Sequence, residues 1–247
     1  MNLLITNDDG IYSPGLQLLA EVAAGFGAVH VVAPDVEQSS MGHAITHARP
    51  LRMRPTRIHG IEGLRVNGTP ADCVAVGCHL YEHVDVVLSG VNLGPNIGNG
   101  MWHSGTLAGA KQAALLGRRG IALSMVEPGD EADFAWLRPH VAAVLEELLP
   151  LDHLKLVNVN FPTESHGMSW TSQSVRHYDG VVQPGTDPMG RAHYWVTVRA
   201  IEEVEEGTDR WAVQNGLISI TPLRLDLTDH EALASARGPA LAARHRE

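Results

Sequence analysis

The sequence predicts an α/β protein with a doubly wound, mostly parallel sheet and a C-terminal extension of antiparallel hairpins. Short apolar runs alternate with helical patterns up to about residue 125, as expected of strands that are buried on both faces. Clusters of Asp, Asn, Ser and Gly follow several of these runs. Beyond residue 161 the chain instead shows extended runs broken by Gly and Pro, without a long helical pattern.

The core elements are predicted in order over residues 1–160. Strands are expected at 3–6, 29–33, 64–67, 84–89, 121–125 and 155–160, and helices at 14–26, 71–81, 106–117 and 134–149. Ser13 and Pro14 are typical of an N-cap and a first helical turn, which supports the first helix. The alternating stretch HAITHARPLRMR, at 43–54, fits either a hairpin arm or an irregular flap.

A second unit is predicted at 161–247. It should contain antiparallel hairpins, then a strand at 217–221 and a short helix from about Asp229. Hairpins with little core of their own are marginally stable alone. We therefore expect this unit to project from the core at 1–160 and to be used for oligomerisation.

The composition narrows the class of partner. The chain carries 18 Lys and Arg against 28 Asp and Glu, a formal charge of −10, and it has no dense basic cluster, which argues against binding a nucleic-acid polymer. With no long apolar run and no secretion signal in the sequence, we expect a cytoplasmic protein without a membrane partner. The spacing of Cys73 and Cys78 does not suit a zinc knuckle, and both are expected to be reduced.

The first predicted strand ends abruptly in NDDG, residues 7–10. Adjacent side chains on a strand point to opposite faces, so Asp8 and Asp9 can converge only if the backbone turns, and Gly10 permits that turn. A turn before a helix would explain these residues by itself. Whether the two acids also form a site therefore depends on the residues that the other loops bring to the same edge of the sheet.

Polar clusters are confined to one predicted rim of the sheet. The segments APDVEQSSMGH, NGTPADC and SGVNLGPNIGNGMWHSGT each follow a predicted strand, whereas the connectors GFGAVH and GRRGIA at the opposite rim are plain. Ligands of open parallel sheets bind outside the carboxyl ends of the strands. This distribution favours a functional site that includes Asp8 and Asp9.

The loop that begins at residue 90 predicts a phosphate site. Its glycines let the backbone approach a ligand, and Asn92, Asn96 and Asn99 offer oxygens and amides. The loop leads into HSGTLAGA, where Ser104 and Thr106 stand at a helix start. Free N–H groups and hydroxyls at a helix N-terminus bind anions, and helix capping by Ser104 is compatible with that role.

Two carboxylates with neutral oxygen ligands predict a hard-cation site at the same rim. Such donors favour magnesium, manganese or calcium over zinc. Asp8 and Asp9 are the anionic candidates, and Ser39 or Ser40 and Asn92 are the neutral ones.

The histidines near this rim suggest substrate contacts more than a metal site. His43 and His47 have the i, i+4 spacing of a zinc pair, but the residues between them are β-prone and no Glu completes the motif, so we expect no zinc there. His43, beside Gly42, and His103, beside the phosphate loop, are candidates for contact with a substrate.

The sequence resembles the SurE family, the survival protein E group of metal-dependent nucleoside monophosphate phosphatases. The resemblance spans nearly the whole chain in order and rests on TNDDGIYSPG, VVAPDVEQSSMGHAIT, VNGTPADCV, LSGVNLGPNIG, WHSGTLAGA and NGLISITPL. It implies a Rossmann-like core, a homodimer or homotetramer, and one divalent metal ion per subunit, such as Mg or Mn. The implied activity is that of a 5'-nucleotidase, with 3'-nucleotidase and exopolyphosphatase activities as further options.

The resemblance also implies roles for particular residues. By motif position the metal ligands are Asp8, Asp9, Ser39 and Asn92. The predicted catalytic residues are Asp8, Asp9 and Asn96. The predicted substrate-binding residues are Ser39, Gly42, His43, Asn96, His103, Ser104, Gly105 and Thr106.

The mechanism and the function both leave alternatives open. Asp8 would orient or deprotonate the attacking water, and direct attack by Asp8 is disfavoured because enzymes with aspartyl-phosphate chemistry commonly space their acids one residue apart. A nucleotide-binding sensor without turnover is the alternative function. A dinucleotide oxidoreductase is disfavoured because no GxGxxG follows the first strand, and a purely structural oligomer gives no reason for the polar rim.

Overall fold

The computed structural model describes residues 1–58, 60–126, 134–175, 179–199 and 203–241. The strands are β1 Asn2–Thr6, β2 Ala28–Pro34, β3 Met53–Ile58, β4 Ile61–Val66, β5 Val86–Leu93, β6 Arg119–Met125, β7 Leu156–Phe161, β8 Gly167–Trp170, β9 Asp179–Thr186, β10 Ala192–Arg199 and β11 Leu217–Leu223. The helices are α1 Pro14–Ala23, α2 Pro70–Leu80, α3 Gly105–Leu115, α4 Arg138–Leu148, α5 Asp209–Gln214 and α6 His230–Leu241, with 3₁₀ turns at Gly98–Trp102 and Ala135–Leu137.

Nine strands form one sheet in the order β3-β4-β2-β1-β5-β6-β7-β11-β8. The pairs from β4 to β7 are all parallel, while β3 and β11 run antiparallel to their neighbours β4 and β7. The chain leaves β1 towards β2 on one side and returns through β5 on the other. The carboxyl ends of β1 and β5 therefore flank the switch point at which ligands of such sheets bind.

Helices cover both faces of the sheet because its central strands are mostly apolar and are buried on both faces. Leu3 and Ile5 of β1 belong to the larger core cluster, which also contains the buried residues of α1 and α4. Leu4, between them in sequence, belongs to a second cluster with Cys73 and Val74 of α2. The predicted doubly wound, mostly parallel α/β fold is confirmed, and it is of the Rossmann-like kind.

The uncertain stretch at 43–54 is irregular for most of its length and becomes a strand only at Met53. Strand β3 then pairs antiparallel with β4, from Met53 opposite Val66 to Ile58 opposite Ile61. The hairpin-arm interpretation is thus right for the end of the stretch and the flap interpretation for its beginning. Alternating hydrophobicity by itself does not separate the two.

The main sheet continues beyond residue 160. Strands β11 and β8 extend it next to β7, whereas β9 and β10 form a separate antiparallel ribbon. The helix α5 was missing from the sequence-based prediction, and a tail helix is present from His230. The division of the chain at residue 160 and the oligomerising role of the second unit stay predictions.

The structure also bears on the cysteines and on the question of membrane-spanning helices. Cys73 and Cys78 are both free thiols, and burial raises the pKa of Cys73 well above its ordinary value. Within the described ranges, the helices are all too short or too polar to span a bilayer.

Candidate functional site

The end of β1 is shaped by the side chain of Asn7. Its amide donates to the Gly10 carbonyl at 3.0 Å and to Ser13 Oγ at 2.7 Å, which closes the turn and ties it to the N-cap of α1. Gly10 has φ +94°, a conformation that other residues rarely adopt. Asp8 and Asp9 are therefore presented at the carboxyl end of the sheet by a fixed backbone turn.

The start of α3 packs directly against Asp8. Thr106 Oγ1 donates to Asp8 Oδ1 at 2.6 Å, and Ser104 Oγ accepts the Leu107 N–H at 2.9 Å as the helix N-cap. A Cβ atom at Gly105 would lie 2.8 Å from both Cβ and Oδ2 of Asp8, so only glycine allows this approach. The anion-binding end of a helix and an acid of the first strand thus share one corner of the site.

Asn96 is held by hydrogen bonds at both its backbone and its side chain. Its amide nitrogen donates to Ser124 Oγ at 2.7 Å and to Thr106 Oγ1 at 3.3 Å. Asn160 Oδ1 accepts the Asn96 N–H at 2.8 Å, and Asn158 Nδ2 donates to the Asn96 carbonyl at 2.7 Å. Asn96 is buried, and these bonds fix it beside the start of α3.

Asn92 and Leu93 are the last two residues of β5, and Asp9 lies beside them. The register of β5 against β6 shifts between Ser89 and Asn92, and such an irregularity redirects the side chains that follow it. The Asn92 amide nitrogen donates to the Gly94 carbonyl at 2.7 Å, which leaves the amide oxygen for another partner. The Leu93 N–H donates to Asp9 Oδ2 at 3.4 Å and so keeps Asp9 next to this loop.

These side chains surround a pocket of about 220 Å³. Of the residues predicted for the site, the pocket is lined by Asp8, Ser39, Ser40, Asn92, Asn96, His103 and Ser104. Thr106 and Gly105 stand immediately behind Asp8, and Asp9 follows Asp8 in the same turn. Four segments that are distant in sequence therefore meet at one mouth.

Besides Gly105 and Thr106, two more of the predicted substrate contacts lie outside this pocket wall. The Gly42 N–H donates to the His103 carbonyl at 3.1 Å, so Gly42 joins two loops of the rim by its backbone. His43 Nε2 is 2.9 Å from Gln112 Oε1 on α3, and this hydrogen bond holds the imidazole ring of His43 against that helix. His43 instead lines a neighbouring pocket of about 310 Å³, together with Trp102 and Lys111.

The electrostatics of the acid pair favour a bound cation. Burial raises the pKa of Asp8, although the hydrogen bond from the Thr106 hydroxyl lowers it in part. Burial and the charge of Asp8 together raise the pKa of Asp9 to about 6. Two carboxylates that repel each other in a partly dehydrated pocket are stabilised when a positive charge lies between them.

The donor set fits a hard divalent cation. Asp8, Asn92 and Ser39 line the pocket with oxygen-bearing side chains, and Asp9, which does not line it, follows Asp8 and accepts the Leu93 N–H. Ser39 Oγ is additionally 2.6 Å from Glu37 Oε1. Across the part of the chain that the structure describes, no three His, Cys, Asp or Glu side chains cluster as a metal site. A cation here would depend on two carboxylates and neutral oxygens, as the sequence predicts.

Several residues around the site escaped the sequence analysis. Glu37 acts on the site at a distance, since its charge raises the pKa of both Asp8 and Asp9. Asn158 and Asn160 are fully buried in β7, at alternate positions of an otherwise apolar strand. Two asparagines on one face of a buried strand require partners, and this was the signal that could have marked them.

The fold and the pocket are those of an α/β protein that can hold a phosphate group at a helix N-terminus beside a hard cation. Comparison with known sequences then identifies the family. The model of the family described as survival protein SurE matches residues 3–180, and the chain belongs to the SurE family.

Full-length relatives and a solved structure agree with this assignment. A protein from Thermus thermophilus named 5'-nucleotidase SurE 1 is 44% identical over 96% of this chain and 97% of its own. A 5'-nucleotidase SurE from Deinococcus radiodurans is 41% identical over 94% of this chain and 90% of its own. The crystal structure of the SurE protein from Aquifex aeolicus superposes with a TM-score of 0.80 at 36% identity, covering 96% of this chain and 98% of that one.

Proposed function

We propose that this protein is a metal-dependent 5'-nucleotidase, which hydrolyses nucleoside 5'-monophosphates to nucleoside and phosphate. The names of its full-length relatives support the activity. The observation that carries the proposal within this chain is the contact of Asp8 with the start of α3, where Thr106 Oγ1 lies 2.6 Å from Asp8 Oδ1. That contact supports the proposal because it puts Asp8, a proposed cation ligand, next to the helix start that is proposed to bind the anion.

The proposed metal ligands are Asp8, Asp9, Ser39 and Asn92, and they would hold one divalent ion such as Mg or Mn. The raised pKa of Asp9 and the oxygen-only donors support this choice. When bound, such an ion polarises a phosphate oxygen and lowers the pKa of a water molecule.

The chain's own groups supply the remaining steps. The N–H groups at the start of α3, together with the Ser104 hydroxyl, would bind the phosphate oxygens. Asn96 would stabilise the charge that develops on them by redirecting the amide N–H that bonds Thr106 at 3.3 Å. Asp8 would orient the attacking water and accept its proton through the carboxylate oxygen that does not bond Thr106. His103, at the pocket wall, would contact the ester oxygen of the leaving nucleoside.

Water attack is favoured over attack by Asp8 itself. One oxygen of Asp8 already accepts a 2.6 Å hydrogen bond from Thr106, which holds the carboxylate as a base and ligand. Hydrolysis of a phosphate monoester that is chiral at phosphorus separates the two routes. We expect inversion of configuration at phosphorus, as a single displacement by water gives, and net retention would overturn this mechanism because it requires two successive displacements.

We also propose that the nucleoside end of the substrate occupies the neighbouring 310 Å³ pocket. The two pockets share a wall, because Met101 and Trp102 line one while His103 and Ser104 line the other. Trp102 is 57% exposed there, with Lys111 Nζ 5.8 Å from its ring centroid. An exposed indole is a stacking surface for a nucleobase. In this position His43, at the same pocket, would retain its predicted role as a substrate contact.

Further properties are proposed from the family resemblance. They are 3'-nucleotidase and exopolyphosphatase activities, a location in the cytoplasm, and a homodimer or homotetramer formed through residues 161–247. Exposed apolar side chains on both faces of β10 support the assembly, since Tyr194, Trp195 and Val196 are 69%, 65% and 73% exposed in the single chain.

A phosphate-release panel tests the proposed function. Nucleoside 5'- and 3'-monophosphates and polyphosphate are each incubated with the protein and Mg, Mn or Co, before and after removal of the metal with a chelator. We expect release from the 5'-monophosphates that stops on chelation and returns when metal is restored. Release that persists undiminished after thorough chelation would contradict the metal-dependent activity.

A further inference from the structure

The loop between Asn96 and Ser104 lines the proposed phosphate pocket. At Gly98, one of its two glycines, it is hydrogen-bonded by side chains from the C-terminal part of the chain. Asp209 Oδ2 accepts the Gly98 N–H at 2.8 Å. Gln173 Nε2 donates to the Gly98 carbonyl at 3.1 Å. Both backbone groups of one loop residue are therefore bonded by side chains that lie 75 and 111 positions away in the sequence.

Asp209 is itself rigidly fixed. Its side chain is fully buried at the first turn of α5, and its second oxygen accepts the N–H groups of Ser174 at 3.0 Å and Arg210 at 2.8 Å. An isolated acid is seldom buried in this way because its charge has to be compensated. Here three backbone N–H groups surround one carboxylate, and one of the three belongs to the loop of the proposed active site.

Gly98 is also in close contact with the segment that carries Gln173. It has φ +55°, and a Cβ atom in its place would lie 3.1 Å from the Ser174 carbonyl oxygen. Gly98 opens the 3₁₀ turn Gly98–Trp102, which leads through His103 to the helix cap at Ser104. A shift of Gly98 would therefore be passed on to the phosphate-binding end of α3.

We propose that Asp209 and Gln173 are positioning residues, which clamp Gly98 so that Asn96 and Ser104 keep the separation that a phosphate group requires. This inference rests on the proposed function of the same pocket. Asn158 and Asn160 already anchor Asn96 from β7, and the clamp supplies a second anchor two residues further along the loop. One anchor comes from β7 and the other from α5 and the segment that follows β8, so the chain between Asn96 and Gly98 has little freedom.

The substitution Asp209→Asn tests the clamp. Asparagine has one acceptor oxygen, so either Gly98 or the pair Ser174 and Arg210 would face an NH₂ group in place of an oxygen. We expect kcat/KM for AMP to fall on the order of 10- to 100-fold, as misplaced binding groups commonly cause. The inhibition constant for inorganic phosphate should rise by a similar factor. The stabilisation of the protein by Mn should stay unchanged, since the proposed ligands precede the clamped segment.

Two further variants keep this test decisive. Gln173→Ala removes the other half of the clamp and should also raise the inhibition constant for inorganic phosphate. This variant tests the clamp even if Asp209→Asn does not fold. Asn215→Ala is the matched control, because it breaks the bond from Asn215 Nδ2 to the Trp211 carbonyl, 2.8 Å long, at the far end of the same helix. We expect this control to keep both kinetic constants. All constants are measured well below the unfolding temperature of each variant.

The outcomes separate this inference from the proposed function. Wild-type phosphate affinity retained in both Asp209→Asn and Gln173→Ala would overturn the clamp, and so would an equal loss in Asn215→Ala. If the wild-type protein released no phosphate from any monoester, the proposed function would fail. The affinity for inorganic phosphate would still show whether the clamp positions the pocket.

Discussion

Thr106 Oγ1 donates a hydrogen bond to Asp8 Oδ1 at 2.6 Å and joins the start of α3 to the end of β1 across 98 positions of sequence. Asp8 is only 5% exposed and Thr106 is fully buried, so water does not compete with this bond. The hydroxyl counteracts the rise in the pKa of Asp8 that burial causes. The bond therefore favours the charged form of the carboxylate against the effect of burial and fixes its orientation at the pocket wall.

Thr106→Val should leave the fold intact and reduce activity, because valine has the shape of threonine without the hydroxyl. A hydrogen bond to a charged group contributes about 1.5–3 kcal/mol. We expect kcat/KM for AMP to fall roughly 10- to 100-fold. Thr106→Ser retains the hydroxyl and should keep most of the activity in the same assay. Equal losses in the two variants would show that the hydroxyl is not the reason.

Asp9→Asn should abolish metal-dependent hydrolysis while stabilising the metal-free protein near neutral pH. The lost ligand is expected to cost on the order of 100-fold or more in activity, since even groups that only support metal ligands cost 10- to 100-fold. The stability gain follows from the removal of a charge that is repelled by Asp8 and poorly hydrated. Thermal unfolding of the variant and the wild-type protein at pH 7.5, in the presence of a chelator, measures this gain in stability.

The pH dependence of the same measurement is a separate prediction. The pKa of Asp9 is raised to about 6 in the folded protein, against about 4 in an unfolded chain. The folded state therefore binds more protons between these values, and the free energy of unfolding of metal-free protein falls as the pH rises through this window. The Asp9→Asn variant should lack this component. A wild-type protein that gained stability from pH 4 to pH 6 relative to the variant would contradict it.

Proton competition should also weaken metal binding in acid. Below a pH of about 6 Asp9 is protonated in the metal-free protein, so a cation has to displace that proton. We expect the apparent affinity for Mn, measured by calorimetry, to fall roughly tenfold per pH unit below this value for one displaced proton. An affinity that is constant between pH 5 and pH 7.5 would exclude Asp9 as a ligand.

Trp102→Ala should affect substrates with a base more than those without one. Stacking of a base on an aromatic side chain contributes about 1–3 kcal/mol, so kcat/KM for AMP should fall roughly 5- to 100-fold. Ribose 5-phosphate presents the same ester without the base and should be hydrolysed at nearly the wild-type rate. A parallel loss for both substrates would place the base elsewhere.

Gly105→Ala should be destabilising because its new Cβ would meet Asp8 at 2.8 Å. Overpacking of this kind costs about 1–3 kcal/mol, which lowers the unfolding temperature by about 2–4 °C per kcal/mol in a chain of this size. Gly100→Ala is the control, since a Cβ there meets nothing within 4 Å. We expect the control to keep the wild-type unfolding temperature. An equal loss of stability in both would show that the contact with Asp8 is not responsible.

Local signals carried much of the fold prediction. The apolar runs of β1, β2, β5, β6 and β7 are buried on both faces, and no helical periodicity competes with them. The caps at Ser13 and Ser104 are bonded to Leu16 and Leu107, as helix starts of that composition predict. Strand β8 was not predicted and β3 only as one of two alternatives for its first residues, because short edge strands depend on the neighbour they pair with.

The sequence by itself determined which loops carry the polar groups, since residue types and spacing are local properties and parallel strands place their carboxyl ends at one rim. Only the tertiary structure decided which of these groups touch. It turned His43 towards Gln112, and it brought Asn158, Asn160 and Asp209 to the loop around Asn96. The physical reason is that a buried polar group has to find a partner, and the partner available depends on how distant segments pack. Periodicity and motif spacing do not contain that information.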